Sequence, residues 1–307
     1  MSTPTIVVVV RSYSTSFSKD TPKIDFDYSD ELHLYVVSSL SPFKQYVSNI
    51  LTTNPDQKKV FITDFCGYED YFATMQFVSS LVDRETIVKT SNSIFPVAHA
   101  YYNKNDNSST FEPGQFEFPL PFELITLCPD SQFHNLLSHA SIQAQQILRV
   151  ITLAHGGSLV CMDSDEIKKR LSSVDGLKIL LSQIFYGKSV NDVTTFPQPI
   201  PVFDTKTSIR LLFPAGWDSW SKIKLLTTSK IYQESTQRLL RKDEDFQELL
   251  DLYGQVIQSD ESSQEKMFSQ LLSYLSSQSQ TISTQDTSNE EIATSKTLSD
   301  FLKEITT

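Results

Sequence analysis

Short apolar runs alternate with amphipathic segments along most of the chain. Runs of β-branched and other apolar residues between polar stretches predict buried strands, and apolar residues at helical spacing predict helices between them. The strand candidates are Thr5–Val10, Leu32–Val37, Val60–Thr63, Phe122–Cys128, Ser158–Met162 and Ile209–Phe213, with weaker ones at Thr86–Lys89 and Pro96–Tyr102. The helix candidates are Pro42–Leu51, Tyr68–Val82, Ile142–His155 and Gly176–Tyr186. This alternation predicts an α/β fold, a mostly parallel sheet flanked by helices on both faces.

Two polar or proline-marked stretches interrupt this pattern. Arg11–Ser29 mixes Ser, Thr, Asp and Pro, which predicts a loop. Phe196–Phe203 reads FPQPIPVF, and its prolines predict an extended segment rather than a helix. We therefore expect an α/β domain over residues 1–233, including a segment at 190–226 that wraps around it.

The C-terminal part of the chain becomes polar. Residues 234–257 predict a helical extension, because Leu and Phe recur there at helical spacing. Residues 258–307 are rich in Ser, Thr and Gln, which predicts a largely disordered tail. Two apolar islands interrupt that tail, at Met267–Leu275 and Leu298–Ile305, and each predicts a short amphipathic helix.

Composition narrows the classes of function. Lys and Arg number 26 and Asp and Glu 37, for a net charge of −11, which argues against nucleic acid as a partner. The apolar share of 39%, with 20 Phe and 12 Tyr, excludes disorder throughout. Three widely separated cysteines do not suggest disulfides, which favours a reducing compartment. The longest apolar run, Ile6–Val10, is far shorter than the roughly 20 residues of a membrane-spanning helix, so we expect a soluble cytoplasmic protein.

A nucleotide-binding loop would fit between the strand Leu32–Val37 and the helix that follows it. Such a loop needs glycines that expose backbone N–H groups, and a lysine. The segment Ser38–Lys44 has no glycine, and Pro42 removes one N–H group. Ser39, Ser41 and Lys44 are therefore expected to form only a degenerate nucleotide loop.

A second possible remnant of a nucleotide site follows the strand Val60–Thr63. Asp64-Phe65-Cys66-Gly67 resembles the DxxG element of small GTPases, whose aspartate reaches the metal and whose glycine senses the γ-phosphate. The alternative is a simple turn after a strand. The guanine-specifying element should follow Phe122–Leu127, where only Asp130 survives. The order of elements thus predicts a P-loop or small-GTPase-like domain with a degenerate nucleotide site and no bound cofactor.

No other catalytic pattern is present in the sequence. The five histidines form no HxxxH or HExxH pair and are expected to lie at the surface, and there is no GxSxG nucleophile motif. Cys128 and Cys161 end apolar strands, where a buried inert thiol is expected. We therefore expect neither enzymatic activity nor a metal site.

A family resemblance lies in the second half of the chain. Ile209–Leu226, which reads IRLLFPAGWDSWSKIKLL, closely resembles the signature of cytoplasmic dynein light intermediate chains. Gln145–Val160 and Leu177–Gly187 resemble two further segments of that family, so the resemblance covers Phe122–Leu226. It implies a G-protein-like domain that clamps the dynein heavy-chain tail, followed by a disordered arm whose short helix binds cargo adaptors. In lacking a phosphate-binding loop the chain resembles divergent fungal members of the family, so the resemblance does not imply nucleotide binding.

The resemblance also implies two sets of binding residues. Those of the heavy-chain-binding signature are Phe213, Gly216, Trp217, Asp218, Trp220 and Ile223. Large aromatic residues are favoured interface anchors, but the two tryptophans could equally close the domain's own core. Those of the adaptor-binding helix are Phe268, Leu271, Leu272 and Leu275, one apolar stripe. That helix could instead dock on its own domain, and Leu298–Ile305 is a second candidate.

Together these observations predict a non-catalytic subunit of the cytoplasmic dynein motor complex. It would bind the heavy-chain tail and link it to cargo adaptor proteins in microtubule-based transport, without inserting into a membrane. Two alternatives stay open. One is an active GTP-binding protein that uses another phosphate ligand such as Lys44, and the other is a pseudo-GTPase scaffold in membrane traffic.

Overall fold

The computed structural model describes residues 4–11, 22–54, 57–81, 111–130, 139–184, 202–203, 209–225, 240–259 and 263–277. Within these residues one eight-stranded sheet has the order β2-β3-β1-β4-β5-β6-β8-β7. Its strands are β1 (Thr5–Val10), β2 (Ile24–Tyr28), β3 (Leu32–Val37), β4 (Lys59–Asp64), β5 (Glu123–Pro129), β6 (Ser158–Met162), β7 (Val202–Phe203) and β8 (Ile209–Phe213). The helices in the described residues are α1 (Lys44–Thr52), α2 (Tyr68–Ser80), α3 (His139–His155), α4 (Ser164–Arg170), α5 (Val174–Ile184), α6 (Trp220–Leu225), α7 (Asp243–Gln258) and α8 (Gln264–Ser277).

The centre of the sheet is parallel and its two ends are antiparallel. Strands β3, β1, β4, β5 and β6 run in the same direction, whereas β2, β8 and β7 each run against their neighbours. The central strands are almost continuously apolar because both faces of a parallel sheet are covered. In β1, Val8 and Val10 join one buried cluster while Val7 and Val9 join the other.

Helices cover both faces of the sheet, as the alternating pattern predicts. One face carries α4 and α5, which bury Ile167, Leu177 and Leu181 against it. The other face carries α1, α2, α3, α6, α7 and α8, which share one large apolar cluster. The expected α/β class, a mostly parallel sheet flanked by helices, is therefore confirmed.

Two strands were not predicted as strands, and one of them, β2, contradicts a predicted loop. The segment Arg11–Ser29, expected to be a loop, contains β2, whose side chains from Asp25 to Tyr28 are all exposed. An edge strand without a buried face lacks the apolar run by which the other strands were found. The second strand, β7, has only two residues, and it follows the prolines of Phe196–Phe203.

The predicted helical extension packs into the domain itself. Helix α7 buries Phe246, Leu249 and Tyr253 in the same apolar cluster as α2 and α3. The apolar island Met267–Leu275 lies within α8, which packs against α7. The described residues do not include the strand candidates Thr86–Lys89 and Pro96–Tyr102, the segment 278–307 with Leu298–Ile305, or residues 190–201.

A search of the described helices for a membrane-spanning segment finds none of sufficient length and hydropathy.

Candidate functional site

The strand order reverses at β1, and this point marks the expected ligand crevice. The chain leaves β1 to form β2 and β3 on one side, then crosses to β4 on the other. Ligands of open α/β sheets bind at such a switch point, beyond the carboxyl ends of the strands. The crevice is therefore bordered by the segments that follow β1, β3 and β4.

Arg11, directly after β1, lies at the switch point, whereas the loop Ser38–Lys44 lies after β3, one strand away. The sequence that follows β1, RSYSTSFSKD from Arg11, contains no glycine either. After β3, Ser41–Phe43 forms a short 3-10 turn that no side chain caps, and the Lys44 Nζ lies 6.0 Å from the centre of the Phe77 ring of α2. Both segments therefore lack the glycines from which a phosphate cradle is built.

The segment after β4 holds the other two predicted residues. Asp64 is 1% exposed and accepts a hydrogen bond from the Cys66 thiol. Burial, followed by the charges of Asp64 and Asp70, raises the pKa of Cys66 to about 12. A thiol that stays protonated is a poor nucleophile. Gly67 has an extended backbone, with φ of 166°, and a Cβ there would contact nothing within 4 Å.

The signature segment after β8 is held by a buried ion pair. The guanidinium of Arg149 on α3 donates two hydrogen bonds to the carboxylate of Asp218, at 2.6 Å from Nε and 2.7 Å from Nη2. The two side chains are 2% and 8% exposed. The same guanidinium lies 4.0 Å from the centre of the Phe213 ring, and Gln115 donates to the Asp218 carbonyl at 2.8 Å. This set of contacts joins α3, β8 and the segment that leads into α6.

The two tryptophans of the signature pack inside the domain. Trp220 is 6% exposed and stacks on Phe246 of α7, with ring centres 5.7 Å apart. Trp217 is 8% exposed, and the amine of Lys222 lies 4.6 Å from the centre of its ring and donates to its carbonyl. Burial lowers the pKa of that lysine.

The other residues of the signature are also inside. Phe213 and Ile223 are buried in the main cluster, and Gly216 adopts a φ of 78°, which glycine tolerates best. The side chains predicted to bind the heavy chain thus offer almost no surface to a partner. Their contacts instead fix the shape of the surface around them.

A small cavity lies beside the ion pair, lined by Arg149, Gly157, Phe213 and Gly216 among others. It has room for about 10 Å³, which is about one water molecule. A nucleotide could not enter it.

The predicted adaptor-binding helix, α8, is docked on its own domain. Leu271 and Leu275 are 0% and 5% exposed, and the Phe268 ring lies edge-on to that of Phe72, with centres 6.4 Å apart. Phe268 and Leu272 are half-buried in the same cluster. The apolar stripe of α8 is therefore occupied by α2 and α7 in this structure.

His155, expected at the surface with the other histidines, is instead buried and joins α3 to α7. His155 donates from Nδ1 to the Phe118 carbonyl at 2.6 Å, so in the neutral ring Nε2 accepts the hydroxyl of Tyr253 at 2.6 Å. Burial lowers the pKa of His155 to about 4. Gly156 indicates from the sequence that His155 ends a helix. The contact with Tyr253 could not be predicted in this way, because the two residues are 98 positions apart.

Comparisons with known proteins identify no family. No family model matches the chain, and no curated protein matches it. Nine chains of solved structures match. One is described as a crystal structure of the conserved domain of the dynein light intermediate chain; the match has 15% identity and a TM-score of 0.48, and covers 85% of this chain and 100% of that one. Similarity at this level carries no inference about family or function.

Replacing Asp218 tests the buried ion pair. Asp218→Ala leaves the Arg149 guanidinium buried without its carboxylate, so we expect a loss of about 3–5 kcal/mol in the free energy of unfolding. Urea denaturation measures this loss. The control is Asp165→Ala, because the Asp165 side chain is 91% exposed and its ion pair with Lys168 should contribute less than about 1 kcal/mol. Equal stability of the two variants would contradict the account.

Two glycines form a matched pair for a test of packing. At Gly114, with φ of 79°, a Cβ would lie 2.1 Å from the Trp220 Nε1. We expect Gly114→Ala to destabilise the protein by about 2–4 kcal/mol, through backbone strain and displacement of the ring. At Gly67 a Cβ meets open space, so Gly67→Ala should change stability by less than about 1 kcal/mol. Thermal or urea denaturation compares them, and the reverse ranking would refute the packing described for Trp220.

His155 predicts a specific dependence of stability on pH. Its pKa is about 4 in the folded protein and 6.5 for the ordinary group, so the unfolded chain binds the proton more readily. Its contribution is fully present above pH 6.5 and is lost as pH falls towards 4, by about 3 kcal/mol in total. Free energies of unfolding across this range should therefore fall more steeply for the native protein and for His33→Gln than for His155→Gln. Parallel curves for all three would contradict the assignment.

Proposed function

We propose that this protein is a non-catalytic subunit of the cytoplasmic dynein motor complex. In this proposal it binds the heavy-chain tail and links it to cargo adaptors for transport along microtubules in the cytoplasm. The observation that carries the proposal is the signature Ile209–Leu226. Its distinctive residues are used by the fold, since Asp218 pairs with Arg149 and Trp220 stacks on Phe246.

The switch-point edge supports a role without catalysis. The segments that follow β1 and β3 are free of glycine, and the Cys66 thiol beside Asp64 is held protonated. Asp64 itself is almost fully buried. We infer that this edge no longer binds a nucleotide and that the domain acts through its surfaces.

The heavy-chain contact is proposed on the outer face of the signature segment. Trp217, Trp220 and Ile223 support that face from within, while Ser221 and Leu225 of α6 are exposed upon it. Under this proposal the signature residues act by shaping the contact surface. Large aromatic side chains hold such a surface rigid because they pack in few conformations.

Adaptor binding is proposed for α8, and the adaptor would compete with the domain itself for the apolar side of this helix. Leu271 and Leu275 are buried on the domain, so an adaptor that grips the whole stripe must first displace the helix from α2 and α7. An amphipathic helix in a partner's groove uses the same i, i+3, i+4 stripe. The affinity for an adaptor is then reduced by the free energy of undocking.

The heavy-chain contact is tested by pull-down with a recombinant fragment of the dynein heavy-chain tail. The native protein should bind the fragment, and Leu225→Glu should weaken binding at least about tenfold, since a charge would enter an apolar contact. Ile179→Glu is the matched control, because Ile179 is a similarly exposed apolar residue on the opposite face of the sheet. Failure of the folded native protein to bind would refute the proposal.

The adaptor contact is tested separately with the double variant Phe268→Ala, Leu272→Ala. It should abolish binding to adaptor proteins and leave binding to the heavy-chain tail unchanged. A matched variant, Ser269→Ala with Ser273→Ala, alters the exposed side of α8 and should bind both the adaptor and the heavy-chain tail. Equal loss of both partners in the apolar variant would indicate damage to the domain, not to an adaptor site.

A GTP-binding protein is the alternative that the position of Asp64 and Gly67 supports, because the segment after β4 borders the switch point. Calorimetry with GTP, GDP and ATP in magnesium separates the two functions. We expect no heat of binding, whereas micromolar affinity would favour the nucleotide-binding protein. A pseudo-GTPase scaffold of membrane traffic would also bind no nucleotide, but it would not bind the heavy-chain tail.

A further inference from the structure

An uncovered group of aromatic side chains lies at the β2 end of the sheet. We name it the aromatic shelf and define it as Phe26, Tyr28, His33 and Tyr35, with Tyr46 of α1 beside it. Phe26, Tyr28 and Tyr46 are 53%, 69% and 45% exposed. Phe26 stacks on Tyr28 at 5.7 Å and lies 4.8 Å from Tyr35 between ring centres. Large exposed apolar groups that contact one another are typical of binding surfaces.

The shelf follows from the pairing of β2 with β3. Phe26 is opposite Tyr35 and Tyr28 is opposite His33, so the four rings share one face of the hairpin. On the other face of β3, Leu32 and Leu34 are buried under α5. On this side of the hairpin, Ile24 at the start of β2 packs against the main apolar cluster, while Phe26 and Tyr28 stay exposed.

The backbone of β2 is also open along part of its outer edge. Ser29 and Leu32 exchange both of their backbone hydrogen bonds, so by alternation the N–H and C=O groups of Ile24 and Phe26 face away from β3. The outward N–H of Tyr28 is not available to a partner, because it already donates a hydrogen bond to Asp27 Oδ1 at 2.9 Å. In the described part of the chain no strand pairs with this edge.

The described residues around β2 are acidic, with Asp25 and Asp27 on the face opposite the rings, where Asp27 Oδ2 accepts the Val174 N–H of α5 at 2.8 Å. Among the described charged residues of β2, the turns beside it and the facing part of α5, two are lysines and both are paired: Lys23 with Asp25 at 3.1 Å and Lys178 with Glu31 at 3.2 Å. The carboxylates on β2, on the turn that follows it and on the first turn of α5 are Asp25, Asp27, Asp30, Glu31 and Asp175. Five carboxylates and two lysines give 2 − 5 = −3.

This charge selects the occupant. Nucleic acid and anionic lipid would be repelled, and a second copy would place the carboxylates of one β2 opposite those of the other. Cationic side chains of an added strand are favoured on both of its faces, by the carboxylates of Asp25 and Asp27 on one and by the aromatic rings on the other. An open strand edge accepts an extended chain through backbone hydrogen bonds.

We propose that the aromatic shelf and the outer edge of β2 bind an extended, basic segment of a partner protein. The segment adds as a short strand beside Ile24–Phe26, and its Arg or Lys side chains lie over the rings of Phe26 and Tyr28. This surface is distinct from the signature segment and from α8, so the proposal stands independently of the motor assignment.

The test uses the full chain and a fluorescein-labelled peptide, Arg-Val-Arg-Val-Arg-Val, with binding followed by fluorescence anisotropy. The native protein should bind it saturably, and Phe26→Ala with Tyr28→Ala should weaken binding at least about tenfold. Phe111→Ala, which removes a ring that is 42% exposed outside the shelf, should bind like the native protein. Because all three side chains are exposed, circular dichroism should show every variant folded.

Two altered peptides separate the ring contacts from the strand pairing. A peptide N-methylated at consecutive amides keeps the side chains but cannot pair, and one with Glu in place of Arg keeps the backbone but reverses the charge. Neither should bind. Equal binding of the N-methylated peptide, or unchanged binding by the folded double variant, would overturn the proposal. So would a dimer of the native protein in sedimentation that Tyr28→Ala dissociates, because the shelf would then bind a second copy.

Discussion

The buried pair of Arg149 and Asp218 is the interaction on which the second half of the structure depends. It connects the middle of α3 to the segment between β8 and α6, across 69 residues of sequence. Neither charge could stay buried alone, so each fixes the position of the other. With Asp218 held, Trp217 and Trp220 on either side of it are directed into the domain, where Trp220 stacks on α7.

Helix α7 is likewise held in place by buried polar contacts to the rest of the domain. Gln146 of α3 receives the Leu240 N–H and donates to the Leu240 carbonyl, at 3.0 Å and 2.8 Å, just before α7 begins. His155 binds Tyr253 further along that helix, and Gln76 of α2 donates to the Val256 carbonyl at 2.9 Å. Polar contacts thus set the position of α7 at both ends and in the middle, while apolar burial supplies most of the free energy. Helix α8 is joined to the start of α7 by the Tyr274 hydroxyl, which donates to the Asp245 carbonyl at 3.4 Å.

The sequence predicted those elements that are buried on both faces and missed those that are not. β1 and β5 were predicted because short, nearly continuous apolar runs are typical of strands that are buried on both faces of a sheet. β2 was missed since its carboxylates and rings are all exposed, although the alternation in Ile-Asp-Phe-Asp-Tyr is the signal that could have found it. The candidate site was predicted less well. A large aromatic residue such as Trp217 suits a core as well as an interface, and the pairing of His155 with Tyr253 depends on contacts distant in sequence.

The proposed function requires a domain whose own core uses the signature residues and whose outer surface binds the motor. Cross-linking mass spectrometry on the protein purified from its native cells tests this most directly, because Lys222 and Lys224 lie on α6. The account predicts that the dynein heavy chain co-purifies in fixed proportion and that Lys224 cross-links to its tail. Purification of the intact protein without the heavy chain, or cross-links to the tail only from the opposite face around Lys168 and Lys169, would contradict it.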